Sequence, residues 1–314
     1  EYKVMGLAPY GKPVYINQME KIVKLKPDGS FELNLNYFRH HREKIDYEWE
    51  NNSPHVGTLF SRELEKLLGS ARSKDEELTQ YHKDIAHSVQ VMYEKAFFHL
   101  LNKLHSKYKL DNIAIAGGCG MNSVANGKVL LNTPFKKIYV QAAAGDAGGA
   151  IGAALMTWHK IGGEKSKQRI LAHNHAYWGP SFTDDYIGNL LKSEEARISK
   201  ENCVVTNFSK ISELIKITAA EITKGNVIGW FQGRMEWGPR ALGNRSIICD
   251  PRRSDMKDIL NLKIKRRESF RPFAPSILNE HVAEWFEQND DVPFMMQVYQ
   301  IIKEKRSKIP AVTH

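Results

Sequence analysis

Between residues 111 and 162 the chain twice runs a short apolar strand into a cluster of glycines and then into a helix, and nothing else in the sequence constrains the fold as strongly. DNIAIAGG (111–118) reads as a buried strand entering a glycine turn, followed by a helix over MNSVANGKVLL (121–131). KKIYVQ (136–141) reads as a second strand, and GDAGGAIGAALMTWHKIG (145–162) as a glycine-opened helix of small residues. Strands alternating with helices specify an α/β layered domain, because each helix must bury its apolar stripe against a sheet. Glycines at a strand-to-helix turn let backbone N–H groups approach a phosphate, since no Cβ stands in the way. Two such turns together are what a nucleotide cleft at the carboxyl edge of a sheet requires. Gly117, Gly118, Asn122 and Gly145 are therefore candidate nucleotide-binding residues. Asp146, flanked by Gly145 and Gly148 at a helix start, either caps that helix or serves as a metal ligand.

Upstream, Ile85, Val89, Met92, Ala96, Leu100 and Leu104 recur at helical spacing and predict one buried face of a long helix. Residues 14–52 predict weak strands, and Ser53-Pro54 predicts a helix start. Downstream, the pattern predicts a helix near 211–218 closed at Gly225, strands at 227–233 and 245–250, and a helix at 256–265. At 314 residues the chain is long enough for two domains. The polar stretch after residue 162 puts their boundary near 166, giving 1–165 and 166–314.

The most specific chemistry lies in GWFQGRMEWGPRALGNRSI (229–247) and NLKIKRRESFRPFAPSIL (261–278). The first sets Arg234, Arg240 and Arg245 among glycines; the second sets Lys265, Arg267 and Arg271 beside Pro272 and Pro275. Guanidinium forks bind phosphate through two bonds at once, and glycines let loops close around it. Residues 252–271 hold eight Lys or Arg against three acidic residues, a large share of the formal net charge of +9. A charge run is usually a solvated helix face, but cations interleaved with glycine, proline and aromatic residues suit a shaped anion pocket better. The two cations of Lys265-x-Arg267 are read as sharing one face of an extended segment.

Other classes lack their signatures. No apolar run approaches the ~20 residues of a membrane span. The three cysteines, Cys119, Cys203 and Cys249, are scattered, which argues against a disulfide framework and fits a reducing cytoplasm. Twelve histidines include no H-x-x-x-H pair, and His40, His41, His173 and His175 read as surface residues. Serine-hydrolase, P-loop and dinucleotide motifs do not occur in a fitting context. The basic charge would suit nucleic acid, but its concentration in Gly/Pro motifs makes that partner unexpected.

With these motifs the sequence resembles the NodU-type O-carbamoyltransferases. The matching stretches are EYKVMGLAPYG (1–11), DIAHSVQ (84–90), AGGCGMN (116–122), GDAGGAIGAA (145–154), GWFQGRMEWGPRALGNRSI (229–247) and KIKRRESFRPFAPSIL (263–278). The resemblance implies part of an actin-like ATPase-superfamily domain followed by a YrdC-like α/β domain. It implies that the YrdC-like domain joins carbamoyl phosphate and ATP into carbamoyl adenylate, and that the actin-like domain passes the carbamoyl group to an acceptor hydroxyl. Lys265, Arg267 and Arg240 would then be catalytic, and Arg234, Arg245 and Arg271 would bind phosphates alongside the glycine turns. Asp146 would be one ligand of a divalent, iron-type metal. The other metal ligands and a closing Ser/Asn loop are expected outside this chain, which reads as open at both ends and inactive alone. A homodimer is a further expectation. The alternatives are a tRNA (threonyl)carbamoyl-type enzyme and a non-catalytic nucleotide-binding module.

Overall fold

The computed structural model of the protein describes residues 2–50, 53–73, 75–166 and 175–313. The domain boundary expected near residue 166 adjoins 167–174, and His173 falls within that stretch; residues 167–174 lie outside the described residues. The chain mixes helices with four two-stranded sheets. β1 (Val23–Leu25) pairs antiparallel with β2 (Phe31–Leu33), and β3 (Tyr47–Glu50) with β4 (Ser53–Val56). β5 (Asn112–Ile115) pairs with β6 (Lys137–Val140), and β7 (Ile228–Phe231) is antiparallel to β8 (Arg245–Ile248). The strands predicted at 111–118, 136–141, 227–233 and 245–250 are thus all present, but the first, read as buried, has no buried residue over Asn112–Ile115.

The described chain divides into two compact units: residues 1–113 with 128–138, and residues 114–127 with 139–313. In the first unit the predicted long helix runs over Gln80–Tyr108. Its buried positions differ from the apolar stripe. Met92 is buried, but Val89, Leu100 and Leu104 are exposed, while the polar Ser88, Gln90 and Glu94 are buried. Each of these three has a partner. Ser88 donates to the Asp84 carbonyl (2.7 Å) and accepts from Tyr15 N–H (3.1 Å). Gln90 donates to Glu94, whose two carboxylate oxygens each accept from Lys128 Nζ (2.7 Å). Most buried polar groups are hydrogen-bonded in this way. The same helix holds the opening segment: Asp84 accepts from Lys12 N–H (2.8 Å), and His87 Nδ1–H donates to the Ala8 carbonyl (2.8 Å). The DIAHS stretch therefore fastens the N-terminal loop. Met19, Ile22 and Met92 form the core beside it.

Three local expectations are corrected. Ser53-Pro54 opens a strand, not a helix: Trp49 is paired with Pro54 in a two-stranded ribbon. An edge strand tolerates a residue without an N–H, and proline drives the residue before it into extended backbone. The helix expected over 121–131 is broken into Ser123–Asn126 and Val129–Asn132. At the break Asn126 is fully buried and donates to the carbonyls of Gly120 (2.8 Å) and Met296 (3.0 Å). A Cβ on Gly127 would lie 2.0 Å from the Val298 carbonyl oxygen, so only glycine lets that stretch of chain pass. The helix expected over 256–265 is α-helical only at Met256–Asp258 and continues as a π-helix over Ile259–Ile264.

The helix expected at 145–162 forms over Gly148–Ile161 but buries none of its residues; Met156, Trp158 and Ile161 are exposed. A Cβ on Gly149 or Gly152 would meet nothing within 4 Å, so tight helix packing does not account for these small residues. The second unit instead draws a core from Met256, Leu260 and Ala311, packed with Val227, Cys249, Ile259 and Phe273. Leu260 is 2% exposed. Leu260→Ala is expected to cost about 2–5 kcal/mol of unfolding free energy. Urea denaturation checks this: the midpoint should fall without a change in slope.

Candidate functional site

The two glycine turns meet through their backbones. Gly117, at φ +103°, donates its N–H to the Ala144 carbonyl at 2.7 Å. Left-handed backbone of this kind favours glycine. A Cβ on Gly118 would meet nothing within 4 Å, so this turn presents open backbone. A Cβ on Gly145 would come 2.7 Å from Met121 Sδ, so a larger residue there would have to displace the methionine side chain. The Asn122 side-chain oxygen accepts from Ala125 N–H (3.1 Å) and caps the Ser123–Asn126 helix.

Asp146 is exposed, and the helix after it starts at Gly148 behind Ala147 with no side-chain cap. The capping alternative for Asp146 is thereby set aside. Among the described residues no three His, Cys, Asp or Glu side chains gather where a metal ion could sit. One exposed carboxylate leaves most of a coordination sphere to water, so these residues do not by themselves fit a metal centre.

The loop between β7 and β8 carries the arginine-rich motif, and it is seated on the Asp146 turn. Trp237 donates its indole N–H to the Ala147 carbonyl (3.2 Å). Gly238 has φ +127°, and a Cβ there would lie 2.6 Å from the Ala142 carbonyl oxygen. Within the loop the three arginines do different work. Arg234 spends Nε and Nη2 on the carbonyls of Gly179 (3.1 Å) and Trp178 (3.3 Å). Arg245 donates to the Gly238 carbonyl (2.7 Å), and its Nε lies 3.3 Å from a Glu236 carboxylate oxygen. Arg240, like Arg245, has a buried Nε without a hydrogen-bond partner in the protein, but unlike Arg245 it has no carboxylate beside it among the described residues. Burial pushes its pKa down. A buried guanidinium N–H without a protein acceptor keeps its capacity to donate to an anion.

Glu236, not singled out in the sequence, organises this loop. Its side chain is wholly buried and accepts from the N–H groups of Leu242 (2.6 Å) and Asn244 (2.9 Å). Burial works against its charge, but those N–H donors outweigh it and hold the carboxyl below its ordinary value.

The second basic stretch is not the extended segment read from its alternation. Lys265 has helical backbone, its N–H reaching back to the Leu260 carbonyl (2.8 Å), and Arg266 is left-handed at φ +47°. The chain turns here because Asn261, fully buried in the π-helix, binds the residues downstream of it. Its amide donates to the carbonyls of Ser269 (3.1 Å) and Arg271 (2.9 Å), and its oxygen accepts from Arg267 Nε at 2.7 Å. Arg267 also lies over the Phe273 ring, 5.0 Å from its centre. Burial, then the Arg271 charge, pushes the Arg267 pKa down. Lys265 is lowered by burial and then by Arg267. Arg271 Nε donates to Glu268 (3.0 Å). The candidate cations therefore lie on two internally braced loops, 234–245 and 261–273. An asparagine among the apolar residues of 259–264, and an acid among arginines, are the sequence signals that could have found the braces.

Comparison with known proteins adds an independent line. The carbamoyltransferase N-terminus family matches residues 1–155, and the carbamoyltransferase C-terminus family matches residues 219–314. An uncharacterised protein of Synechocystis sp., sll1178, is 41% identical over all of this chain, which covers 52% of that protein. Nodulation protein NolNO of Sinorhizobium fredii is 37% identical over all of the chain and 42% of its own length. Nodulation protein NolO of Bradyrhizobium diazoefficiens is 35% identical over all of the chain and 52% of its own length. The chain spans about half the length of these relatives.

The lowered Glu236 carboxyl has a consequence for acid stability. Its ionised form stabilises the fold above the ordinary carboxylate value of 4.5, and that contribution is lost as pH falls through the lowered folded value. Glu236→Gln is expected to cost about 1–3 kcal/mol at neutral pH, with a smaller loss of stability on acidification than wild type. Urea titrations between pH 7 and pH 3 measure both; parallel acid limbs in the two proteins would count against this account.

Proposed function

We propose that this chain, which belongs to the carbamoyltransferase family, is part of an ATP-dependent O-carbamoyltransferase. In this reading residues 166–314 are a YrdC-like domain that combines carbamoyl phosphate with ATP into carbamoyl adenylate. Residues 1–165 belong to an actin-like domain that presents the adenylate to an acceptor hydroxyl, in a cytoplasmic enzyme. The observation that carries the proposal is Arg240, whose buried Nε finds no acceptor in the protein on a loop shaped by glycines.

The donor is a small phosphorylated anion, and ATP adds several negative charges. Bringing them together in a partly dehydrated site needs compensating cations, since repulsion between like charges grows as the effective dielectric falls. Arg240, Arg267 and Lys265 supply those charges, and burial has already removed part of their hydration. Preorganised cations lower the barrier because they need not reorient as charge develops. Gly117 and Gly118 offer open backbone for the nucleotide phosphates, consistent with the missing Cβ obstruction at Gly118. Asp146 stands as one proposed ligand of an iron-type ion, whose remaining ligands would come from outside this chain.

Arg267→Ala in the full-length protein tests the pocket, with the exposed helix residue Lys216→Ala as control. Loss of one charge-assisted phosphate contact should cost about 1.5–3 kcal/mol, read as a tenfold to hundredfold weaker carbamoyl phosphate affinity. Mass spectrometry should find carbamoyl adenylate with wild type and the control, and much less with Arg267→Ala. Equal donor affinity in all three proteins would refute the assignment.

A further inference from the structure

We infer that Asn261 is the positioning residue that holds the Arg267 guanidinium in place for the anionic donor, an inference that rests on the activation-pocket reading above. Asn261 sits inside the π-helix Ile259–Ile264 and is fully buried. Isolated π-turns widen a helix locally and commonly mark functional positions. Here the widening has a specific effect. The Arg267 N–H bonds to the Asn261 backbone carbonyl (2.9 Å), and Arg267 Nε bonds to the Asn261 side-chain oxygen (2.7 Å). One residue therefore grips both ends of the arginine.

The other end of the amide fixes the loop. Its NH2 group donates to the Ser269 and Arg271 carbonyls, so three side-chain bonds of Asn261 tie residues 267, 269 and 271 together. An asparagine side chain can make at most four bonds, two as donor and two as acceptor, and no other side chain of this size supplies two donors together with an acceptor. Phe273 lies against the guanidinium in a cation–π contact. With Nε taken by Asn261 and one face covered by Phe273, the guanidinium has a fixed plane. An arginine fixed in this way offers its terminal NH2 groups as a fork to one phosphate geometry, where an untethered side chain would have to lose its rotamer freedom on binding.

The role makes Asn261 act through Arg267, and that can be separated from a purely structural role. In the full-length protein, carbamoyl phosphate binding is measured by calorimetry for wild type, Asn261→Ala, Arg267→Ala and the double variant, with thermal melting to establish folding. Asn261→Ala is expected to weaken the donor about tenfold, and the double variant to bind no more than about twofold worse than Arg267→Ala alone, since coupled residues are not additive. Should Asn261→Ala fail to fold, Asn261→Ser carries the same test: its short hydroxyl adds no charge and cannot hold Arg267 and both loop carbonyls at once. Wild-type donor affinity in a folded Asn261 variant, or fully additive losses in the double variant, would overturn the inference alone. If Arg267→Ala itself binds the donor normally, the pocket reading fails and this inference falls with it.

Discussion

Holding several positive charges close together is the constraint around which the basic loops of the second unit are organised. Arg267 feels Arg271, and Lys265 feels Arg267, in surroundings that have stripped part of their water. Repulsion of this kind is strong where the effective dielectric is low, so the backbone that carries the cations must be fixed by something other than the ligand. The protein uses two loops with separate braces. Glu236 gathers Leu242, Asn244 and Arg245 on one. Asn261 gathers Arg267, Ser269 and Arg271 on the other.

The braces divide arginines that look alike into different kinds. Arg245 is neutralised by Glu236 and Arg271 by Glu268, so their charges are largely answered within the fold. Arg234 fastens the 178–179 backbone. Arg267 is held by a neutral amide and an aromatic face, which restrain it without cancelling its charge. Arg240 has a buried Nε without an acceptor, as Arg245 does, but no carboxylate beside it among the described residues. Glycines make this economy possible at two points: Gly238 lets the arginine loop lie against the Ala142 carbonyl, and Gly117 lets one turn bond the other.

Much of this was legible in the residues. The glycine turns, the helix through Met92 and the strands flanking the arginine motif arise from local pattern, because apolar period and glycine placement act over a few residues. What escaped depended on distant partners. Ser53-Pro54 carries a helix-start signal, yet pairing with Tyr47–Glu50 makes it a strand. Lys265-x-Arg267 alternates like a strand, yet a buried asparagine four residues earlier pulls the chain into a π-helix and a left-handed turn. Ser88, Gln90 and Glu94 look like a solvent face, yet each meets a partner that makes burial tolerable. Residue type showed which groups were cationic; only the contacts showed which of them the protein had already satisfied.

The choice of brace depends on the task of each arginine. A carboxylate suits Arg245, whose guanidinium is tied to the Gly238 carbonyl and serves the loop. At Asn261 a carboxylate would be wrong for a pocket. Two unit charges at about 4 Å attract by roughly 4 kcal/mol at an effective dielectric near 20. A charge-assisted bond to a ligand contributes only about 1.5–3 kcal/mol. An acid in contact with Arg267 would therefore compete with an incoming phosphate for the same guanidinium. A neutral amide oxygen restrains the group and leaves its charge to the ligand, and the amide's two N–H bonds to Ser269 and Arg271 supply the rigidity that an ion pair would otherwise have given.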